Sequence, residues 1–251
     1  MQPDTIRVLV VDDEPDSYAI INLMLSRQHV HPVEICLHAI DLSQAQSLIQ
    51  RWHPDWIIVD LDLTEAHGFS IVELLSDGDH VELTFITAHE PEAADILVFS
   101  EMHLLQKPLN KKALMDVLDD IRNHQAYQDK YIRLKTFKHN IIQSQDLPLL
   151  AVPAQQSWKS FSMSEILYIS HQEGLALLGL HDTRLLTEKS FQDYLRLFTR
   201  QTGFIQIHPQ HVVQSIHISD VDTDRLEIIM NNGITLPVSA HKLQTLLRML
   251  S

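Results

Sequence analysis

Short, uninterrupted apolar runs punctuate the first 106 residues: IRVLVV at 6–11, WIIV at 56–59, LTFI at 83–86 and LL at 104–105. Runs of this length, apolar at odd and even positions alike, read as strands buried on both faces of a parallel sheet. Between them the apolar positions fall three and four apart, over 17–27, 43–51, 70–75 and 111–121. Each of these stretches is opened or preceded by Ser, Asp or Asn, residues whose side chains satisfy the free N–H groups of a first helical turn. Strand and helix in alternation predict an α/β doubly wound domain, whose ligands gather at the carboxyl ends of the strands.

From 109 to 147 there is no Gly or Pro, and apolar residues recur at Leu114, Leu118 and Ile121, then at Tyr127, Tyr131, Leu134 and Ile141. The spacing slips phase near His124 and suits two arrangements equally. The last helix of the first domain runs on into a linker helix with a coiled-coil seam, or an amphipathic helix folds onto its own domain. After Pro148 the texture changes to short runs rich in Ile, Leu, Val and Thr, at 166–170, 175–181, 184–187, 204–208, 212–214, 226–230 and 234–238. Asn231-Asn232-Gly233 between the last two is a hairpin signal. Only 190–198 and 240–250 look helical, so a mostly-β C-terminal domain is expected. The organisation read from the chain is a first domain at 1–124, a helical linker at 125–146 and a second domain at 147–251.

Charge separates the halves. Residues 1–124 carry 7 basic and 22 acidic side chains, a net −15, whereas 125–251 carry 12 and 11, a net +1. With 45% apolar residues in 251, the chain builds real cores and is not a solvating acidic tail. No window approaches the roughly 18 apolar residues of a membrane span, and acids at 12–14 stand where an export signal would be basic or small. The single cysteine, Cys36, forms no internal disulfide, so a reducing cytoplasm is the expected compartment. Acidity argues against indiscriminate nucleic-acid binding by the whole chain.

Three carboxylates stand at expected strand ends, Asp12 and Asp13 after VLVV and Asp60 after WIIV. Strands one and three adjoin at the switch point of such a sheet, which brings the three together. Like charges so placed call for a hard divalent cation, and Mg²⁺, held by one or two carboxylates with waters and a phosphate, fits best. Two further strand ends supply what phosphoryl chemistry needs: the hydroxyl of Thr87 after LTFI and the ammonium of Lys107 after LLQ. Pro108, directly after Lys107, raises the chance of a cis bond, a fixed turn aiming the Lys inward. Taken singly, an acid ending a strand is commonly a turn former or a helix cap.

Taken together, Asp12-Asp13, Asp60 with Gly68 eight residues on, Thr87-Ala88 and Lys107-Pro108 resemble the receiver domain of two-component response regulators over about 124 residues. The resemblance implies a five-stranded parallel sheet and makes Asp60 the nucleophile that takes a phosphoryl group from a histidine kinase. It implies Mg²⁺ held by Asp12, Asp13, Asp60 and the backbone carbonyl of Asp62, with Thr87 and Lys107 on the phosphoryl oxygens. Such domains usually carry Tyr or Phe three residues before the Lys, where this chain has Leu104. The added charge of about −1.5 to −2 would draw in Thr87 and Lys107 and reshape the face of 90–99 and 111–120. Homodimerisation through that face is implied, and through the linker helix where it pairs.

From about 147 onward the chain resembles a LytTR-type DNA-binding domain, on SEILYIS, SFQDYLRLF, FIQIHPQHVVQ with Ile218, and NNGITLPVS. Three departures weaken the DNA reading: Pro209 and Ala240 stand where the family typically has Arg, and Gln214 where it has Asn. Arg is the preferred donor to guanine edges and phosphates, a good bidentate base contact being worth about 1–3 kcal/mol. Remaining candidates for DNA contact are His208, Gln214, Ser239, His241 and Lys242, with Lys159, Arg184 and Lys189 for phosphates. For any one of them a solvated surface side chain is the plainer reading. The pairs His29/His31 and His208/His211 invite a metal reading, but without Cys ligands or standard spacing scattered histidines are the better one. No second catalytic cluster appears after 124, so the expected protein is no enzyme beyond slow self-dephosphorylation. Two functions stand: a phosphorylated regulator of transcription acting on promoter DNA, or a phospho-switched protein-interaction module whose second domain has lost DNA binding.

Overall fold

The computed structural model describes residues 5–26, 33–76, 79–89, 94–123, 127–142, 148–154, 157–201 and 203–250. The chain divides into two compact units, Met1–Asp146 and Leu147–Ser251. His29 and His31, and residues 90–93 of the expected switching face, lie outside the described residues.

The first unit runs β1 (Ile6–Val11), α1 (Pro15–Ser26), β2 (Val33–Ala39), α2 (Leu42–Trp52), β3 (Trp56–Asp60), a 3₁₀ helix (Gly68–Leu74), β4 (Glu82–Thr87), α3 (Ala94–Phe99), β5 (His103–Gln106), α4 (Lys111–Asn123) and α5 (Tyr127–Ile142). All five strands are parallel, in the order β2-β1-β3-β4-β5. The strands alternate their side chains between two cores. Ile6, Val8, Val10, Trp56, Ile58 and Ile86 meet Ile21 and Leu25 of α1 and Leu114, Leu118 and Ile121 of α4. Leu9, Val11, Ile57, Val59, Leu83 and Phe85 meet α2, the 3₁₀ helix, Leu97 of α3, and Leu134 and Phe137 of α5. Full burial of each such side chain contributes about 1.5–3 kcal/mol, which is why these runs are apolar on both faces, with Arg7 and Thr84 the exceptions.

Local signals close the elements. Asp41 caps α2, its Oδ1 accepting from Gln44 N at 2.7 Å, and His53 ends that helix in the left-handed region at φ 45°. Residues 70–75, which the spacing marks as helical, form a single-sided 3₁₀ segment instead. The expected linker residues that are described form α5, and α5 belongs to the core of the first unit.

The second unit comprises β6 (Leu149–Ala154), β7 (Ser157–Ser162), β8 (Tyr168–Gln172), β9 (Leu175–Gly179), β10 (Arg184–Ser190), α6 (Phe191–Phe198), β11 (Phe204–His208), β12 (His211–Gln214), β13 (Ile218–Asp222), β14 (Glu227–Met230), β15 (Thr235–Pro237) and α7 (Ala240–Leu250). Its sheets are antiparallel: β10-β9-β8-β12-β11, β13-β14-β15 and the hairpin β6-β7. Tyr168, Ile207, Val213, Ile228, Met230, Leu236 and Leu246 share its core. Asn231-Asn232-Gly233 joins β14 to β15, with Gly233 at φ 77°, a value a side chain would resist. No helix among the described residues is long and apolar enough to cross a membrane.

Candidate functional site

Asp12 follows β1 and Asp60 closes β3, neighbouring parallel strands with Val11 opposite Val59. Their carboxylates therefore emerge at one edge of the sheet. With Asp13 they place ligand oxygens within 4.8 Å of one another. Asp12 and Asp60 are 0% and 3% exposed, so two negative charges sit out of water and need counter-charge.

Lys107, one residue past β5, supplies part of it. Its Nζ lies 2.5 Å from Asp60 Oδ2 and 3.3 Å from both Asp12 Oδ2 and Glu14 Oε2. Its backbone N–H donates to Thr87 O at 2.7 Å, tying it to the end of β4, and the Lys107–Pro108 peptide is cis. Burial pulls its pKa down, but the hydrogen bond to Asp60 and the charges of Asp12 and Asp60 outweigh this and hold the ammonium above the ordinary Lys value. At an effective dielectric near 20, each carboxylate about 4 Å away attracts it by about 4 kcal/mol. One ammonium against Asp12, Asp13, Glu14 and Asp60 still leaves the cluster negative. Oxygen donors alone, two of them buried, fit a hard divalent cation such as Mg²⁺.

Each acid is aimed by a neighbour. Ser17 Oγ donates to Asp12 Oδ2 at 2.5 Å and Glu14 N to Asp12 Oδ1 at 2.8 Å. Thr64 donates to Asp13 Oδ2 with both its hydroxyl and, at 3.0 Å, its N–H, and these bonds hold that carboxyl below the usual range. Asp62 N donates to Asp60 Oδ1 at 3.1 Å. Gly68 lies flat on Asp60: a Cβ there would stand 2.2 Å from Asp60 O. Thr87 is engaged just beside the cluster, its hydroxyl donating to Asp62 Oδ2 at 3.0 Å and accepting from His89 N at 3.2 Å. His89 Nδ1 lies 3.9 Å from the same Asp62 oxygen. Thus Asp12, Asp13, Asp60 and Lys107 come together, while Thr87 reaches them through Asp62. Glu14, Ser17 and Thr64 were missed by sequence reasoning, although an acid after Asp13 and hydroxyls a turn beyond two of the acids were visible signals.

In the second unit the candidates part company. The N–H of Ser239 donates to Ile207 O at 2.9 Å, pinning the start of α7 beside the end of β11. Half-buried His208 and Ser239, exposed His241 and half-buried Lys242 are thereby carried on adjoining segments. Gln214 is only 5% exposed, and its amide nitrogen, turned inward, meets the carbonyls of Met163 and Ile166 at 3.2 and 2.9 Å. It is a buried strap between β12 and the turn before β8, since a buried amide must find partners inside. Lys159 is exposed on β7, while Arg184 and Lys189 lie on β10. The rings of His208 and His211 lie 5.3 Å apart, and His211 Nδ1 is 2.8 Å from Ser170 Oγ.

Comparison with known proteins matches the two units separately. Residues 8–119 match the response regulator receiver domain and residues 156–251 the LytTr DNA-binding domain. The transcriptional regulatory protein BtsR of Salmonella typhi is 25% identical over 245 residues, covering 96% of this chain and 97% of that protein. The sensory transduction protein LytT of Bacillus anthracis is 23% identical over 257 residues, covering 97% and 99%. Among solved structures, the Vibrio cholerae chemotaxis protein CheY4 aligns with 47% of this chain and 98% of its own at 20% identity, with a TM-score of 0.41.

Proposed function

The chain belongs to the response regulators that join a receiver domain to a LytTR DNA-binding domain, and from that premise we propose that a histidine kinase phosphorylates it on Asp60 to regulate transcription from the cytoplasm. The observation that carries this is the buried Asp60 carboxylate at the end of β3, with Lys107 Nζ 2.5 Å away and two further acids within reach. An Asp60 carboxylate oxygen attacks phosphorus in the donor's phosphohistidine. A P–O bond forms as the P–N bond breaks, and the leaving imidazole nitrogen keeps the electron pair. Lys107 Nζ, 2.5 Å from an Asp60 carboxylate oxygen, would lie beside a phosphoryl group carried there and offset the charge that develops. Thr87 exchanges Asp62 for a phosphoryl oxygen. Asp12, Asp13 and Asp60, with the Asp62 carbonyl, would hold Mg²⁺, which when bound neutralises the acids and the incoming phosphate.

Large apolar side chains exposed on α3 and β5, Val98 and Leu104, support homodimerisation through that face. His208, Ser239, His241 and Lys242 are the residues offered to promoter DNA, and Gln214 serves the fold. The absence of Arg at 209 and 240 favours, as a second reading, a phospho-switched interaction module. Incubation with acetyl phosphate and Mg²⁺ tests the acceptor: labelling is expected in the wild type and lost in Asp60→Asn, and undiminished labelling of that variant would refute the site.

A further inference from the structure

α5 carries more buried polar groups than a helix packed for stability alone needs. Along 16 residues it buries Asp129, Arg133, Thr136 and Asn140 beside Leu134 and Phe137. Those groups, with Phe137, reach three segments of the first unit. Phe137, 0% exposed, lies 5.5 Å from Phe69 and 5.2 Å from Phe85, ring to ring. Phe69 directly follows Gly68, which rests on the Asp60 carbonyl. Phe85 shares a face of β4 with Thr87, two residues on. The third segment leaves α3: Asn140 Nδ2 donates to Ser100 Oγ at 3.1 Å, and the Arg133 guanidinium donates to Glu101 O. Arg133 Nη1 also reaches Glu82 Oε2, at the start of β4, at 3.2 Å.

We propose that α5 is a clamp on the phosphoryl pocket: Phe137, packed against both Phe69 and Phe85, which also touch each other, holds the resting arrangement in which Thr87 bonds Asp62, and phosphorylation of Asp60 loosens it. The proposal rests on the phosphoacceptor reading. Movement of Thr87 toward the phosphoryl group draws on β4, and close-packed interiors pass such a shift to their neighbours, here the rings of Phe69 and Phe137 against Phe85. Coupling between two sites is reciprocal, so weakening the clamp must favour the phosphorylated arrangement by the factor with which that arrangement weakens the clamp.

Beryllofluoride with Mg²⁺, a stable stand-in for the phosphoryl group, gives the test on the full chain. Phe137→Leu is expected to bind it at least about fivefold more tightly than wild type. Val117→Ala, on α4 in the opposite core, should stay within about twofold. Unchanged or weaker binding by Phe137→Leu would overturn the clamp. Where that variant does not fold, amide hydrogen exchange on the wild type decides: residues 127–142 should exchange faster once beryllofluoride is bound, and unchanged or slower exchange sinks the proposal. If beryllofluoride protects neither the amides at 60–64 nor that of Thr87 in the wild type, the phosphoacceptor reading itself has failed, and the clamp with it.

Discussion

Single residues in this protein are defined by what lies opposite them in space. Asp13 and Asp12 are sequence neighbours, yet one is held by Thr64 and the other by Ser17 and Lys107, so the pair divides into a half-buried and a buried carboxylate. Burial pushes the Cys36 thiol up to about 11, which leaves it a thiol rather than a reactive thiolate at neutral pH. His211 shows the reverse displacement: burial, then the neighbouring His208, lowers its pKa from 6.5 to about 4. Between those values the unfolded chain binds a proton that the folded one refuses. The stability tied to His211 is therefore complete above pH 6.5 and is lost as the pH falls toward 4. Urea unfolding of the second unit's transition between pH 7 and pH 4 should show that decline, and His211→Gln should flatten it. A slope unaltered by the substitution would place its origin elsewhere.

Among elements, strand ends were legible, whereas the spacing left the home of α5 open between two arrangements. Asp12, Asp60, Thr87 and Lys107 could be placed because each closes or follows a short apolar run, a property of contiguous sequence. β2 escaped because VEICLHA alternates polar and apolar side chains, as an edge strand covered differently on its two faces allows. β7 escaped similarly, its SWKSFS showing one buried side chain among polar ones. α5 was left between a linker helix and a helix folded onto its own domain because what decides it is remote: Glu82 and Ser100, 51 and 40 residues away in sequence, take Arg133 and Asn140 inside. Gln214 misled in the same manner, its partners being carbonyls rather than a duplex. A buried ion pair robbed of one member costs about 3–5 kcal/mol, because the other charge stays in the interior. Arg133→Ala should therefore lower the unfolding free energy of the first unit by about 3 kcal/mol, the low end of that range because Lys130 Nζ stays 3.9 Å from Glu82 Oε1, whereas a change under about 1 kcal/mol would show that Lys130 satisfies Glu82 alone.

At the scale of the whole molecule, charge and function diverge. The −15 of residues 1–124 includes the carboxylate cluster, while the second unit, residues 147–251, carries 8 basic and 9 acidic side chains, a net −1 that is low for a domain offered to DNA. Each phosphate contact contributes about −0.9 to the slope of log affinity against log salt. With Arg absent at 209 and 240, a salt titration against a selected duplex should give a shallow slope, and Lys242→Ala should flatten it by about one contact. A slope near zero with no enriched sequence would instead favour the protein-interaction reading. The clamp helix also sets an order of events in time. A chain growing from its N-terminus has all five parallel strands once Gln106 is made, yet Phe69 and Phe85 wait for their third ring until Phe137 emerges. The first unit is thus finished only as synthesis reaches the threshold of the second, and a ribosome halted between them leaves a sheet with its aromatic floor open to the chaperones that patrol exposed apolar surface.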